Sequence, residues 1–152
     1  MSQARREVLI KATIQAIPTY AMSCFEFPMG FCDEISLMET RFWWGQKEGA
    51  RKIHWLSRKK LIKSKKEGGM GFRDLQLFND ALLARQGWHL LQFPNSLVHR
   101  FLKAKYFPWN SFLEASVPND ASFIQRSIYG SKDVLKVGLR WHVGTVDSIH
   151  IC

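Results

Sequence analysis

A cluster of basic side chains is the strongest chemical signal in this sequence of 152 residues. Between Lys47 and Glu67 stand nine Lys and Arg residues and two glutamates, so this segment carries +7 of the chain's net charge of +9. Closely spaced basic side chains neutralise the phosphates of a nucleic-acid backbone whatever the base sequence. The basic residues predicted to bind nucleic acid are Arg51, Lys52, Arg58, Lys59, Lys60, Lys63, Lys65 and Lys66.

Aromatic side chains accompany this basic segment. Trp43, Trp44, Trp55 and Phe72 lie within or beside it, and exposed rings next to cations can stack on the bases of a single strand. Trp55 is therefore included among the predicted binding residues, although a role as a core anchor is the favoured alternative for it. Trp43 or Trp44 is expected in the core. A merely solvated basic loop is the competing interpretation, and the local clustering of charge favours binding.

Groups that could catalyse a reaction or hold a metal are scattered. Two-metal polymerases and nucleases need clustered carboxylates, whereas the only adjacent acids, Asp33 and Glu34, point in different directions on a helix. A structural zinc site needs four ligands in close pairs, and no histidine pair follows Cys24 and Cys32. The lysines at 65–66 precede the glycines at 68–71, the reverse of a phosphate loop. The sequence predicts no enzyme, no cofactor and no metal.

The cysteine count and the lengths of the apolar runs indicate the environment of the protein. Three cysteines at irregular spacing do not form a disulfide framework, and they fit a reducing, intracellular compartment. No run approaches the roughly 20 apolar residues of a membrane span, so no membrane partner is predicted.

The elements that must position the basic segment are mainly helices. Helical spacing runs through residues 2–16, and a second helix is predicted around residues 31–42, with Glu39 off its apolar stripe. That stripe consists of Phe31, Ile35, Met38 and Phe42.

Two more helices are predicted after the basic segment. Asp74 can cap a helix that ends near Phe93, and Ser96 can cap the next one. In the first of these, helical spacing is kept by Leu75, Phe78, Leu82, Gln86 and Leu90. In the second, Leu97, Phe101 and Leu102 are expected to face inward, and Arg100 and Lys103 outward.

The C-terminal part combines helix and strand signals. Residues 122–135 are predicted to be helical with a break near Gly130. The alternation at 140–143 and 148–151, with a turn near Gly144, predicts a short β-hairpin. The predicted fold class is mainly α, with a long basic loop of short turns at 47–73 between two helical parts.

Several motifs, taken in order, resemble plant LINE-type (non-LTR) retrotransposon reverse transcriptases. The resemblance covers nearly the whole chain. It rests on FWWG at 42–45, RKIHW at 51–55, GGMGFRDL at 68–75, FNDALLA at 78–84, QGW at 86–88, KAKYFP at 103–108, RSI at 126–128 and GLRW at 138–141.

The resemblance implies a position within a longer polyprotein. Residues 1–46 would form a thumb-like helical segment, 47–73 the basic glycine-containing loop, and 74–152 a helical connector that ends in a truncated hairpin. The catalytic aspartates of the palm would lie upstream and the zinc ligands of a knuckle-like segment downstream. The implied function is a non-catalytic fragment with weak, salt-dependent affinity for RNA or DNA backbones.

Departures from the family pattern favour the fragment interpretation over two alternatives. Arg58 and Gln125 stand where the family usually has Trp, Thr145-Val146 replaces an Asn-Gly turn, and Cys152 replaces a Trp. The alternatives are a small standalone RNA- or DNA-binding protein and a helical interaction module that docks on the missing palm. A nuclear location would follow for part of a mobile element, and an organellar one stays open.

Overall fold

The computed structural model describes residues 1–45 and 55–139, together with the backbone of two short strands near the C-terminus. It confirms a mainly α fold. In chain order the elements are α1 (Gln3–Leu9), a π turn (Ile10–Ile14), α2 (Thr19–Met22), α3 (Met29–Trp43), α4 (Arg58–Ile62), a 3-10 turn (Lys65–Glu67), α5 (Leu75–Gln92), α6 (Leu97–Tyr106), α7 (Phe123–Gly130), α8 (Lys132–Gly138), β1 (Trp141–Val143) and β2 (Ile149–Ile151).

The chain divides into two compact units. Unit 1 comprises Met1–Met22 and Phe27–Asn79, and unit 2 comprises Ser23–Glu26 and Asp80–Cys152. The three-part division given above concerns position in a longer polypeptide and stays a prediction.

Unit 1 has a small aromatic and aliphatic core. Ile10, Trp43, Leu61 and Phe72 are its buried members. The rings of Trp43 and Phe72 meet edge to face, with centroids 5.5 Å apart, a geometry that aromatic pairs favour. Since the core draws on the π turn after α1, on α3, on α4 and on the segment before α5, it fixes the basic stretch against the N-terminal part of unit 1. Trp43 is buried, as predicted.

The N-terminal helix is capped and tied to the end of α3. Ser2 accepts a hydrogen bond from the backbone N–H of Arg5 at 3.4 Å, which satisfies an otherwise unpaired donor of the first turn. The guanidinium of Arg6 donates to the carbonyl of Trp43 at 3.1 Å. Helical structure at 3–14 confirms the first predicted helix and gives α1 a fixed place in unit 1.

Helix α3 exists where it was predicted, but its buried face differs from the predicted stripe. Phe31 and Met38 are exposed, whereas Glu39 is fully buried. The buried row runs through Cys32, Ile35, Ser36, Glu39, Thr40 and Trp43. The small side chains of Ser36 and Thr40 leave room for a neighbouring element on this side, which explains why the helix buries it.

Helix α5 shows the same kind of rotation. Asp74 caps it as predicted, accepting hydrogen bonds from the backbone N–H groups of Gln76 and Leu77 at 3.1 and 3.3 Å. Asn79 and Leu83 are buried in place of Phe78 and Leu82, which are only half-buried. The Asn79 side chain accepts from the N–H of Phe27 and donates to the carbonyl of Met22, both at 2.7 Å.

Unit 2 has a larger core. Its buried members are Ala84, Leu90, Phe107, Phe112, Ile128, Tyr129 and Leu135. Phe112 lies at the centre, with its ring 6.0 Å from that of Phe107 and 5.3 Å from that of Tyr129. Gly87 lets this ring approach α5, because a Cβ there would stand 3.1 Å from Phe112 and 2.6 Å from Leu135.

Helix α6 begins as predicted but presents a different face. Ser96 accepts from the backbone N–H of His99 at 3.2 Å, so the predicted cap is confirmed. Leu97 and Phe101 were expected inside, yet they are 80% and 61% exposed. The inward position is taken by His99, whose Nδ1 lies 2.6 Å from the carbonyl of Leu90. This hydrogen bond sets the rotation of the helix and turns Leu97 and Phe101 outward.

The C-terminal elements agree with their predictions. Helices α7 and α8 are separated at Ser131, close to the predicted break at Gly130. Strands β1 and β2 pair antiparallel, with His142 opposite His150, so the hairpin is confirmed. The turn near Gly144 lies outside the described residues. No helix in the described part of the chain is long and apolar enough to cross a membrane.

Candidate nucleic-acid interface

Helix α4 begins the candidate interface and carries its first basic residues. The carbonyl of Ser57 accepts from the N–H groups of Lys60 and Leu61 at 3.0 and 3.2 Å, which closes the first turn. Leu61 is buried in the core of unit 1. Since neighbouring helix positions differ by about 100°, anchoring Leu61 turns Lys59 and Lys60 to the solvent, where both are exposed. A short helix thus stands within the predicted loop.

The chain after α4 folds back on itself. Ser64 and Glu67 form a reciprocal capping box around the 3-10 turn. The N–H groups of Met70 and Phe72 both donate to the carbonyl of Leu61 at 3.1 Å. Gly69 permits this approach, since a Cβ there would meet the carbonyl oxygen of Lys63 at 2.0 Å. The basic residues therefore project from an ordered turn.

Four lysines form an exposed group, here called the lysine cluster: Lys59, Lys60, Lys63 and Lys66. Among the described residues, none of the four is in an ion pair. Their charges are free to attract an anion, and this arrangement suits a phosphate backbone.

The glutamates around the lysine cluster are engaged elsewhere. Glu67 accepts from the hydroxyl of Ser64 at 2.9 Å. Glu7 lies 2.7 Å from the ammonium of Lys65 and 2.9 Å from that of Lys11. Hydrogen bonds from Lys65 and Lys11 hold the pKa of Glu7 below its ordinary value. Lys65, although exposed, is thereby distinguished from its neighbour Lys66.

Arg58 directs its charge inward. Its Nη1 donates to the carbonyl of Ser36 at 2.8 Å and lies 3.4 Å from Oε2 of the buried Glu39. Burial raises the pKa of Glu39, while the charge of Arg58 acts in the opposite direction. Sequence reasoning missed Glu39, because an acid off the apolar stripe resembles an ordinary surface residue. The arginine 19 positions away offers no signal of the pairing.

The tryptophans differ in exposure. Trp55 is 77% exposed, so the favoured expectation that it anchors the core is wrong. The physical reason is that Trp43, together with Leu61 and Phe72, already fills the core of unit 1. An exposed ring two residues before Ser57 stands close in sequence to the lysine cluster, which is compatible with stacking on a base.

The remaining residues considered from the sequence are two basic residues, the potential metal ligands and the cysteines. Arg51 and Lys52 lie outside the described residues. No group of three or more His, Cys, Asp or Glu side chains able to hold a metal occurs in the part of the chain that the structure describes. Cys24 is half-buried and Cys32 is buried, and neither takes part in a disulfide within the described residues.

Comparison with known proteins identifies two relatives in Arabidopsis thaliana. The chain is 43% identical over 136 residues to a protein named "Uncharacterized mitochondrial protein AtMg00310", across 89% of this chain and 87% of that protein. It is 35% identical over 106 residues to one named "Putative ribonuclease H protein At1g65750". That match covers 70% of this chain but spans only 17% of the longer relative.

Other comparisons give no match: neither a protein-family model nor a solved structure matches the chain significantly. The first relative, however, is similar over almost its entire length. The chain therefore belongs to the same family as the uncharacterized mitochondrial protein of Arabidopsis thaliana.

Proposed function

We propose that this chain is a non-catalytic piece of a LINE-type reverse-transcriptase polyprotein that binds nucleic-acid backbones without sequence preference. The observation that carries the proposal is the lysine cluster. Four exposed lysines project from eight consecutive positions, and the neighbouring glutamates Glu7, Glu39 and Glu67 are held by other groups. The match to a small part of a longer relative supports the fragment interpretation.

The chemistry of the cluster favours backbone binding over reading of bases. Lysine ammonium groups act as point charges, while base edges are read by paired donors and acceptors of Arg, Asn or Gln. Arg58, which could offer a paired donor, faces Glu39 instead. Binding should therefore depend on salt and not on sequence.

The main test measures affinity for oligo(dT) at several salt concentrations. If about four phosphates are neutralised, log affinity should fall against log salt with a slope near −3. Changing all four lysines of the cluster to Gln should flatten this slope and leave the circular dichroism spectrum unchanged. An unchanged slope would overturn the proposal.

A matched pair of single variants sharpens this test. Lys65 and Lys66 are neighbours, but only Lys65 is paired with a carboxylate in the described part of the chain. Lys66→Gln should weaken binding more than Lys65→Gln, because Lys65 must leave Glu7 before it can contact a phosphate. Equal losses would mean that only the summed charge matters.

The non-catalytic part of the proposal needs its own assay. It rests on the sequence, which has no clustered carboxylates to bind catalytic Mg²⁺. Purified chain with primer-template, deoxynucleotides and Mg²⁺ or Mn²⁺ should extend no primer, and RNA in a hybrid duplex should stay intact. Extension or cleavage that an Asp33→Asn change abolishes would contradict it.

Docking within a longer polypeptide is a second candidate function. Val8 and Leu9 of helix α1 are exposed, as is Met1 before the helix, and together with Ala4 and Arg5 they line an apolar depression of about 420 Å³. Exposed apolar patches of this kind favour association. The isolated chain should self-associate at high concentration in sedimentation measurements, and Val8→Lys should restore the monomer. A monomeric unmodified chain would exclude this candidate.

A further inference from the structure

Helix α6 in unit 2 carries a second cationic and aromatic surface. From residue 81 to residue 113 the sequence contains four Lys and Arg residues and no Asp or Glu. Three of the four, Arg100, Lys103 and Lys105, are on α6, and all three are exposed. Such a stretch attracts anionic partners and repels cationic ones.

The rotation of α6 arranges these cations around an aromatic ring. His99, Leu102 and Tyr106 are partly buried, and the His99–Leu90 hydrogen bond of 2.6 Å fixes that side inward. At about 100° per residue, Phe101 lies on the exposed arc of α6, next to the exposed Leu97. Lys105 lies about 40° from Phe101 on one side, and Arg100 and Lys103 lie about 100° and about 160° from it on the other.

We propose that this face of α6 binds single-stranded nucleic acid, with Phe101 stacking on a base and Arg100, Lys103 and Lys105 contacting the flanking phosphates. A ring between cations matches the two components of single-strand recognition, a stacking platform and a positively charged track. Phe101 is 61% exposed, and Trp109, just after the helix, is 93% exposed. No contact within the described part of the chain explains why the rings of Phe101 and Trp109 are exposed.

Charge pattern distinguishes this partner from two others. A membrane-surface helix needs a broad apolar face, but on the exposed arc of α6 Lys105 separates Val98 from the adjacent pair Leu97 and Phe101. A second copy of the chain would bring like charges together, with no acid in residues 81–113 to offset them. Nucleic acid supplies both the negative charge and the flat apolar bases that this face lacks.

The inference extends nucleic-acid binding to unit 2 and does not depend on the lysine cluster. The test uses the full chain with oligo(dT) and with an abasic oligomer of the same length, at low salt. Phe101→Ala should weaken binding to oligo(dT) about tenfold and leave binding to the abasic oligomer unchanged. The joint Lys103→Gln and Lys105→Gln variant should weaken binding to both.

Controls separate this inference from the proposed function. Val137→Ala on α8, where the side chain is 86% exposed, should change nothing. The Phe101→Ala effect should persist when all four lysines of the cluster are Gln, whether or not those changes weaken binding. If Phe101→Ala leaves the oligo(dT) affinity unchanged while the cluster variant loses binding, the α6 inference is overturned and the proposed function stands.

Two further readouts can overturn the inference. Phe101→Ala could abolish binding to anionic vesicles, or convert a dimer to a monomer, while leaving oligo(dT) affinity intact. Either result would assign the face to a membrane surface or to a second copy. Because Phe101 is exposed, the variant should keep the circular dichroism spectrum of the unmodified chain.

Discussion

Both units bury a charged side chain, but they compensate its charge differently. In unit 1, Glu39 is fully buried and faces the guanidinium of Arg58 at 3.4 Å. In unit 2, Lys132 is 7% exposed and forms no ion pair among the described residues. Its ammonium donates to the carbonyl of Ala115 and lies 3.8 Å from the ring centroid of Tyr129.

The buried charge of unit 1 helps to position the exposed lysine cluster, whereas the buried charge of unit 2 contacts only the core of its own unit. Arg58 belongs to α4, the helix that carries the start of the lysine cluster, so its pairing with Glu39 on α3 helps to hold that helix in place. Lys132 faces ring surfaces and a carbonyl within its own unit, where the attraction between cation and ring partly offsets desolvation.

The largest expected effect comes from breaking the pair in unit 1. Arg58→Gln should destabilise unit 1 by about 3 kcal/mol, because it leaves Glu39 buried without its cation. Hydrogen exchange followed by mass spectrometry should show faster exchange in α3 and α4, with α7 and α8 unchanged. The double change Glu39→Gln and Arg58→Gln should recover most of the loss. A single variant as stable as the original would mean that Glu39 is protonated or hydrated.

An intermediate effect is expected for Lys132. Desolvation, with a smaller contribution from Lys136, lowers the pKa of Lys132 from 10.5 to about 8. Between these values the unfolded chain binds the extra proton, so stability should rise as the pH is raised from 8 to 10.5. Lys132→Met should stabilise unit 2 at neutral pH by about 1 kcal/mol and abolish this rise, as denaturation at both pH values would show.

Lys136→Met is the control for Lys132, since Lys136 is exposed on the same helix. It should leave most of the pH-dependent rise in place. If Lys132→Met instead destabilises unit 2 at neutral pH, the ring and carbonyl contacts outweigh desolvation, and the two units would compensate buried charge equally well.

The smallest effect concerns the exposed pair between Lys65 and Glu7. Lys65→Gln should lower the stability of unit 1 by less than about 0.5 kcal/mol, because solvent and salt screen such a pair. Thermal unfolding at low and high salt would measure it, with Lys66→Gln as the unpaired neighbour. If Lys65→Gln lowered the stability of unit 1 as much as Arg58→Gln does, Glu7, which also pairs with Lys11, would contribute strongly to the stability of the fold.

Caps and helix positions could be predicted from the sequence, because they depend on local chemistry. Asp74 and Ser96 each accept from backbone N–H groups at the start of a helix, as expected. The C-terminal hairpin also followed from local alternation. These features need only a few neighbouring residues, so tertiary context does not alter them.

The buried faces of the helices were harder to predict. Periodicity gives the repeat of a helix but not its rotation when apolar residues occur on more than one side. In α5, Leu82 and Leu83 satisfy the pattern equally, and only the packed core selects Leu83. In α6, the hydrogen bond of His99 turns Phe101 outward. The exposure of Trp55 likewise depends on tertiary packing, because the core of unit 1 contains the ring of Trp43 instead.

The folded-back turn after α4 has a consequence for proteolysis. Trypsin cleaves after basic residues and prefers exposed, extended chain, so the lysines at 59–66 make this segment a dense target in sequence terms. Yet the carbonyls of Leu61, Lys63 and Ser64 all accept backbone hydrogen bonds from 67–72. Cutting here must wait for the turn to open, and its rate reports how often that occurs. The segment 59–66, although dense in lysines, should therefore resist cleavage by trypsin while unit 1 stays folded.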